Sequence, residues 1–255
     1  MQLQALIFDV DGTLADTERD GHRLAFNRAF AEAGLDWQWG VELYGKLLAV
    51  TGGKERMRHY IAQHRPDYRP SADFDVLIAS LHGAKTRHYT DLLANGSIPL
   101  RSGVARLLRA ARAEGLRLAI ATTTTPANVT ALLEHCLAPD ACSWFEVIAA
   151  GDIVDAKKPA PDIYRHALEE MRLTPDRCLA FEDSENGLRS ARAAGLRTIV
   201  TVNDYTRNHD FAGALLVLDH LGDPQQPATV LSGAALKRDP YVTLDGLRDL
   251  CARND

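Results

Sequence analysis

Short apolar runs alternate with amphipathic segments through residues 104–202, and this alternation constrains the fold more than any other feature of the sequence. Four apolar runs predict strands, at 116–121, 147–150, 178–181 and 197–202. Four segments with helical spacing, bounded by Gly or Pro, predict helices, at 104–114, 127–136, 162–171 and 186–194. Repeated strand and helix units form a parallel sheet with helices on both faces. The sequence therefore predicts an α/β protein with a doubly wound, Rossmann-like core.

A first strand is predicted at residues 3–8, but the segment that follows it has a different character. From Thr17 to about Asn95, apolar residues recur at spacings of three and four, which indicates helices and little strand. A chain of 255 residues can form a core and a smaller accessory domain. We predict a core of residues 1–16 plus 97–255, with an all-helical insert at 17–96. The tail from about Gly222 is weakly patterned.

The overall charge argues against two classes of partner. The formal net charge is −5, and Lys and Arg form no long block, so we expect no binding to nucleic acid or to an anionic membrane. The segment before Asp9 has no basic residue, and no apolar stretch is long enough to span a bilayer. We expect a cytoplasmic protein, with a monomer as the favoured state.

Polar residues stand directly behind the predicted strands. Asp9 and Asp11 follow the first strand and precede a turn at Gly12. The residues behind the later strands are Thr122 and Thr123, Lys157 and Lys158, and Glu182 and Asp183. Each group alone is also compatible with solvated turns or helix caps. Ligands bind such sheets at the carboxyl ends of the strands, so the groups together indicate one reaction site.

These residue types suit phosphoryl transfer. A phosphate monoester repels nucleophiles, so its hydrolysis needs positioning and neutralisation of its oxygens. We predict that Asp9 attacks phosphorus and that Asp11 protonates the leaving oxygen and then deprotonates water. Lys158 supplies positive charge, and Thr122 donates a hydrogen bond to a transferring oxygen. Asp9 and Asp183 offer the hard oxygen ligands that Mg²⁺ prefers.

The motifs, in this order, resemble those of the haloacid dehalogenase-like superfamily, and the resemblance covers almost the whole chain. It implies that Asp9 is the nucleophile and Asp11 the acid and base. It implies a Mg²⁺ site built from the Asp9 carboxylate, the Asp11 carbonyl oxygen and Asp183, with Glu182 as the neighbouring acid. Dehalogenases of the superfamily lack the second aspartate, so Asp11 favours phosphate chemistry. The helical insert matches the position of the mobile cap of the superfamily.

A narrower resemblance is to the CbbY family. It is carried by residues 9–18, 51–56, 121–125 and 157–164. CbbY proteins are encoded with Calvin-cycle genes, and the resemblance implies a phosphatase of xylulose-1,5-bisphosphate, which removes an inhibitor of Rubisco. The related beta-phosphoglucomutases share the architecture.

The insert carries candidates for holding the second anionic end of a sugar bisphosphate. Thr51, Gly52 and Gly53 form a Gly-rich turn before Lys54, and such a turn offers free amides and an ammonium group. An ordinary helix start would have the same pattern.

His82 and Lys85, three residues apart, are candidates for the same anion, although a solvated helix face would also explain them. By resemblance, Lys54 and Lys85 match an arginine and a lysine of the mutase cap. Glu18, Thr123 and Thr124 complete the predicted substrate-binding set.

Three alternatives remain open at this stage. A phosphosugar mutase would return the phosphate to its substrate, and a phosphatase of phosphoglycolate type would share the core motifs. A non-catalytic binding protein would ordinarily have lost one of the four charged residues, yet Asp9, Asp11, Lys158 and Asp183 are all present.

Overall fold

The computed structural model describes residues 2–70, 73–96, 98–236 and 238–252. The described residues form one sheet of seven strands, which are β1 (Ala5–Phe8), β2 (Arg117–Thr122), β3 (Val147–Ala150), β4 (Cys178–Glu182), β5 (Arg197–Thr201), β6 (Leu216–Leu218) and β7 (Val230–Gly233). The strand order is β3-β2-β1-β4-β5-β6-β7. All neighbouring strands are parallel except β6 and β7. The predicted α/β class with a Rossmann-like sheet is confirmed.

Side chains of β1 alternate between the two faces of the sheet, as the pleat of a strand requires. Leu6 and Phe8 belong to one buried cluster, and Ala5 and Ile7 to another. The described residues from 98 onward also form five α-helices, which are α5 (Val104–Ala113), α6 (Pro126–Cys136), α7 (Asp162–Met171), α8 (Glu185–Ala193) and α9 (Leu244–Ala252). Residues of α5, α6 and α9 pack in the first cluster and those of α7 in the second. Both faces of β1 are therefore buried.

Every regular element that the structure describes between residues 17 and 96 is a helix, and turns and loops connect these helices. A π-helical turn at Glu18–His22 leads into α1 (Arg23–Glu32), α2 (Val41–Leu47), α3 (Gly53–His64) and α4 (Phe74–Ala94). These helices enclose a separate cluster rich in aromatic rings, among them Phe26, Phe30, Trp37, Trp39 and Tyr44. The predicted all-helical insert is confirmed as part of the fold class.

The predicted elements differ from the observed ones mainly in the C-terminal part of the chain, beyond Val202. The helices and strands between residues 104 and 202 begin and end within two residues of the prediction. Strands β6 and β7 and helix α9 were not predicted, because the sequence beyond Val202 has only short apolar runs. The predicted domain boundary at 97, and the chain ends at 1 and 255, lie outside the described residues.

Within the ranges that the structure describes, every helix is too short or too polar to span a bilayer.

Candidate active site

The site lies where β1, β2 and β4 end side by side. Phe8 is paired with Ile120 on one side and with Phe181 on the other, so the residues after these strands meet at one edge. They line a cavity of about 220 Å³. Of the predicted site residues, this cavity brings together Asp9, Asp11, Glu18, Thr51, Thr122, Thr123, Lys158, Glu182 and Asp183.

Lys158 lies at the centre of a buried hydrogen-bond network. Its Nζ donates to Asp9 Oδ1 at 2.7 Å and to Glu182 Oε1 at 2.6 Å. A third bond, at 2.9 Å, goes to the carbonyl oxygen of Ala121. The Tyr164 hydroxyl donates to the same Glu182 oxygen at 2.5 Å. Three acceptors therefore orient the ammonium group against one face of Asp9.

Burial and the charge balance shift both groups of the central ion pair. Burial raises the pKa of Asp9 to about 7, against the lowering effect of Lys158 and with a further rise from Glu182. Burial lowers the pKa of Lys158, but the carboxylates of Asp9 and Glu182 outweigh it, so this pKa lies above its usual range. Lys158 is therefore a fixed cation, while Asp9 needs more positive charge nearby to stay ionised.

Asp183 is held close to the loop that follows β1. Asn203 Nδ2 donates to Asp183 Oδ2 at 2.7 Å. Gly12 lies against the same carboxylate with φ +85°, and a Cβ atom there would lie 2.3 Å from Asp183 Oδ2. Only glycine fits this close approach and this backbone conformation. Burial, Asp9 and Glu182 raise the pKa of Asp183 well above its usual value.

Three buried carboxylates could hold a metal ion. Oxygen atoms of Asp9, Glu182 and Asp183 lie within 4.8 Å of one another. Glu182 already accepts hydrogen bonds from Lys158 and Tyr164. Asp9 and Asp183 are therefore the better ligands, and hard oxygen donors of this kind fit Mg²⁺. A bound cation would also favour the ionised forms of both aspartates.

Asp11 is bound from the side of the helical insert. Oδ1 of Asp11 accepts a hydrogen bond from Thr17 Oγ1 at 2.5 Å and lies 2.7 Å from His22 Nε2. The His22 ring stacks on Tyr89, with 4.0 Å between ring centroids. Burial raises the pKa of Asp11, but His22 and Thr17 outweigh it, and the net effect is a pKa well below the usual range. Asp11 is thus held as a carboxylate in contact with Thr17 and His22.

The insert contributes a charged wall to the cavity. The Tyr44 hydroxyl donates to Glu18 Oε2, and Arg56 Nη1 donates to the Tyr44 hydroxyl at 2.9 Å. Arg56 is 7% exposed, and its guanidinium lies 3.9 Å from Glu18 Oε2. Arg56 thus presents a buried cation on the insert side of the cavity.

A smaller cavity adjoins the first and shares Asp11, Glu18, Arg56 and Thr123 with it. The predicted residues that line it are Gly52, Gly53, His82, Lys85 and Thr124. Lys85 lies between the rings of Phe26 and Tyr89, and burial lowers its pKa to about 8. Burial, with Lys85 and Lys54 nearby, lowers the pKa of His82 to about 4.

Lys54 points elsewhere, toward the loop after β3. Its Nζ donates to Asp152 at 2.6 Å, and Lys157 contacts the same carboxylate at 2.9 Å. Lys157 also donates to Glu55 at 2.8 Å. Lys54 lines a third cavity with Asp152 and Lys157. These ion pairs join helix α3 to the sheet portion of the chain, so Lys54 is already paired at this position.

Several residues around the site were not among the predicted site residues. They are Thr17, His22, Arg56, Arg101, Tyr164 and Asn203. Asn203 could have been found, because it follows the strand predicted at 197–202 and the carboxyl-end rule applies to it as well. Burial of Arg56 depends on Tyr44 and Glu18, which the local sequence pattern does not reveal.

Comparisons with known proteins agree with this geometry. The haloacid dehalogenase-like hydrolase family matches residues 3–195. CbbY of Rhodobacter capsulatus is 56% identical over 214 residues, covering 84% of this chain and 92% of its own. Plasmid-encoded CbbY of Cupriavidus necator is 52% identical over 225 residues, covering 88% of each chain.

Similarity extends to solved structures. A mutant of CbbY from Rhodobacter sphaeroides, crystallised with xylulose-1,5-bisphosphate, superimposes with a TM-score of 0.77. It is 48% identical, and the match covers 86% of this chain and 95% of that one. The chain therefore belongs to the haloacid dehalogenase-like hydrolase family, among its CbbY proteins, and is an enzyme.

Proposed function

We propose that the protein is a Mg²⁺-dependent phosphatase of a sugar bisphosphate, with xylulose-1,5-bisphosphate as its substrate, and that it acts through an aspartyl-phosphate on Asp9. The observation that carries the proposal is the contact between Asp9 and Lys158. A carboxylate oxygen of Asp183, the second proposed metal ligand, lies within 4.8 Å of one of Asp9. The CbbY neighbour that binds xylulose-1,5-bisphosphate supports the choice of substrate.

In the first step, a carboxylate oxygen of Asp9 attacks phosphorus and the bond from phosphorus to the sugar oxygen breaks. The leaving oxygen takes a proton from Asp11. Asp11 is held as a carboxylate in the resting site, so it takes up this proton when the substrate binds, with Thr17 Oγ1 and His22 Nε2 as its hydrogen-bond partners. Lys158 stays protonated throughout and compensates the negative charge beside Asp9.

In the second step, water attacks the phosphorus of the aspartyl-phosphate while Asp11 accepts a proton from it. The bond from phosphorus to Asp9 breaks, and inorganic phosphate leaves. Asp9 and Asp183 would hold the Mg²⁺, and the ion would supply charge neutralisation for the phosphoryl oxygens.

The helical insert, residues 17–96, is proposed to act as a cap that holds the remainder of the substrate. Arg56 and Lys85 are the buried cations on that side of the two joined cavities. A second phosphate bound there would join the two parts of the chain around the sugar. Lys54 is proposed to act at the third cavity, where its ion pair with Asp152 joins the insert to the loop after β3.

A phosphate-release screen tests the proposal. Purified protein with Mg²⁺ is given xylulose-1,5-bisphosphate, a set of sugar monophosphates and phosphoglycolate, with Asp9→Asn as the blank. We expect the highest kcat/KM on the bisphosphate and no release by Asp9→Asn, whose side chain keeps its volume but loses the nucleophilic charge. Equal rates on all esters would contradict the substrate, and phosphate returned to the sugar without release would indicate a mutase.

A further inference from the structure

Arg101 lies outside every motif of the site, yet its guanidinium contacts backbone carbonyl groups of the segments next to Asp183. The side chain is 7% exposed. One guanidinium nitrogen, Nη1, donates to the carbonyl oxygens of Gly12 and Thr201. The other, Nη2, donates to the carbonyl oxygens of Val202, at 2.5 Å, and Asp219, at 2.7 Å.

Three of these carbonyls, those of Gly12, Thr201 and Val202, belong to the two segments that enclose Asp183. Gly12 follows Asp11 and lies against the Asp183 carboxylate. Val202 precedes Asn203, whose amide donates to the same carboxylate at 2.7 Å. A shift of either segment would therefore move an atom in direct contact with Asp183. The planar guanidinium fork fixes both segments relative to each other, which a flexible lysine cannot do.

Arg101 also joins this site to the connections of the helical insert. Its backbone nitrogen donates to the Leu14 carbonyl oxygen, and its Nε lies 3.3 Å from Asp16 Oδ1. Leu100 forms a bridge with Ala15. The chain segments that enter and leave the insert thus run side by side at Arg101.

We propose that Arg101 is a positioning residue: it holds the Gly12 and Asn203 segments around Asp183, so that this carboxylate presents its oxygen to the Mg²⁺. This inference rests on the proposed function for the presence of Mg²⁺, but it concerns the protein scaffold and is measurable without turnover. Among the described residues, Arg101 makes no hydrogen bond to Asp9 or Asp183, the two carboxylates proposed to hold the ion.

The test compares Arg101 with Arg106, a more exposed arginine that also donates to backbone carbonyl oxygens but lies away from the site. Arg106 Nη2 donates to the carbonyl oxygens of Gly222 and Val242, and its Nε contacts Asp223. The variants Arg101→Lys, Arg101→Gln, Arg106→Lys and Arg106→Gln are made in the full chain. Mg²⁺ binding is measured by titration calorimetry without substrate, Tm by thermal unfolding, and kcat by phosphate release.

We expect Arg101→Lys to raise the Kd for Mg²⁺ by about 10-fold or more, as loss of an outer contact to a metal ligand does. Arg101→Lys and Arg106→Lys should lower Tm by similar amounts. Arg106→Lys, however, should leave the Kd within about twofold of the wild type. Because Lys retains the charge, a fall in affinity reports lost geometry and not lost charge. Arg101→Gln should match or exceed the effect of Arg101→Lys.

Three outcomes would overturn the inference. One is equal Mg²⁺ affinity in the Arg101 and Arg106 variants, and another is full affinity in Arg101→Lys with loss only in Arg101→Gln. The third is failure of both Arg101 variants to fold while both Arg106 variants do, which would make the role of Arg101 purely structural. A wild type that binds Mg²⁺ but releases no phosphate would refute the proposed function and leave the comparison of affinities valid.

Discussion

Lys158 Nζ lies 2.7 Å from Asp9 Oδ1, although 149 residues separate the two in the chain. Both side chains are almost fully buried, with side-chain exposures of 5% for Lys158 and 10% for Asp9. A buried pair of this kind is strongly destabilised when one partner is removed, because the other charge is left uncompensated. The pair therefore links the stability of this region to its chemistry.

Replacing the central lysine tests that link. Lys158→Met keeps most of the volume and removes the charge, so we expect kcat to fall by about 100-fold to 1000-fold. The neighbouring Lys157→Met is the control, because Lys157 contacts Glu55 and Asp152 and not Asp9. Steady-state phosphate release from both variants gives the comparison. A similar kcat for the two would remove Lys158 from the reaction.

The two consecutive acidic residues at the end of β4, Glu182 and Asp183, should differ in their effect on Mg²⁺. Asp183→Asn removes a proposed ligand, so the Mg²⁺ concentration for half-maximal activity should rise by at least about 10-fold. Glu182 is bonded to Lys158 and Tyr164, so Glu182→Gln should lower kcat more than it lowers Mg²⁺ affinity. Mg²⁺ titrations of phosphate release measure both. The opposite pattern would assign the ion to Glu182.

Arg56 should distinguish bisphosphates from monophosphates. Arg56→Lys keeps the charge but loses the planar fork, so a bonded phosphate would lose about 2 kcal/mol, or about 30-fold in KM. We expect this rise for the bisphosphate and little change for a monophosphate. Arg58→Lys on the same helix is the control, because Arg58 is more exposed and pairs with Asp75. An equal rise for both substrate classes would exclude Arg56 from the distal phosphate.

His82 should make the folded protein sensitive to acid. Burial, Lys85 and Lys54 lower its pKa to about 4 from an ordinary value of 6.5. The unfolded chain therefore binds a proton on this side chain at a higher pH than the folded chain does. Stability is full above pH 6.5 and decreases as the pH falls toward 4, by about 2 kcal/mol at pH 5.

Urea unfolding at pH 7.5 and pH 5 measures this effect in the wild type and in His82→Gln. The variant should lose less stability over the same interval, since it has no proton to gain at this position. His64→Gln is the control, because His64 lies near the end of α3 and is exposed. An identical loss in the wild type and His82→Gln would show that other groups dominate.

Much of the sheet and its catalytic edge follows from local sequence. The strand that ends before Asp9 was predictable because an apolar run long enough for a buried strand stops at an acidic residue. The edge shared by β1, β2 and β4 then follows from parallel topology alone. Asp9, Lys158 and Asp183 were located in this way, and the structure brings their side chains into one cavity.

Contacts that depend on tertiary charge pairing could not be predicted in this way. A Gly-rich turn before Lys54 suggested a free cation for an anion, but Asp152 stands 98 residues away and takes that charge. Strand β7 pairs antiparallel at an exposed edge, where no buried face imposes a sequence pattern. Arg101 carries no motif, and its role depends on four carbonyl groups that the fold assembles.

Two consecutive lysines face different parts of the molecule. Lys157 binds Glu55 on the helical insert, whereas Lys158 binds Asp9 on the sheet. If the insert swings open to admit substrate, Lys157 gives up a partly exposed contact that water readily replaces. Lys158 keeps its three acceptors through the same movement, because all of them belong to the sheet portion of the chain. The contact between Lys158 and Asp9 is then independent of solvent entry, so the proposed nucleophile is already paired when each turnover begins.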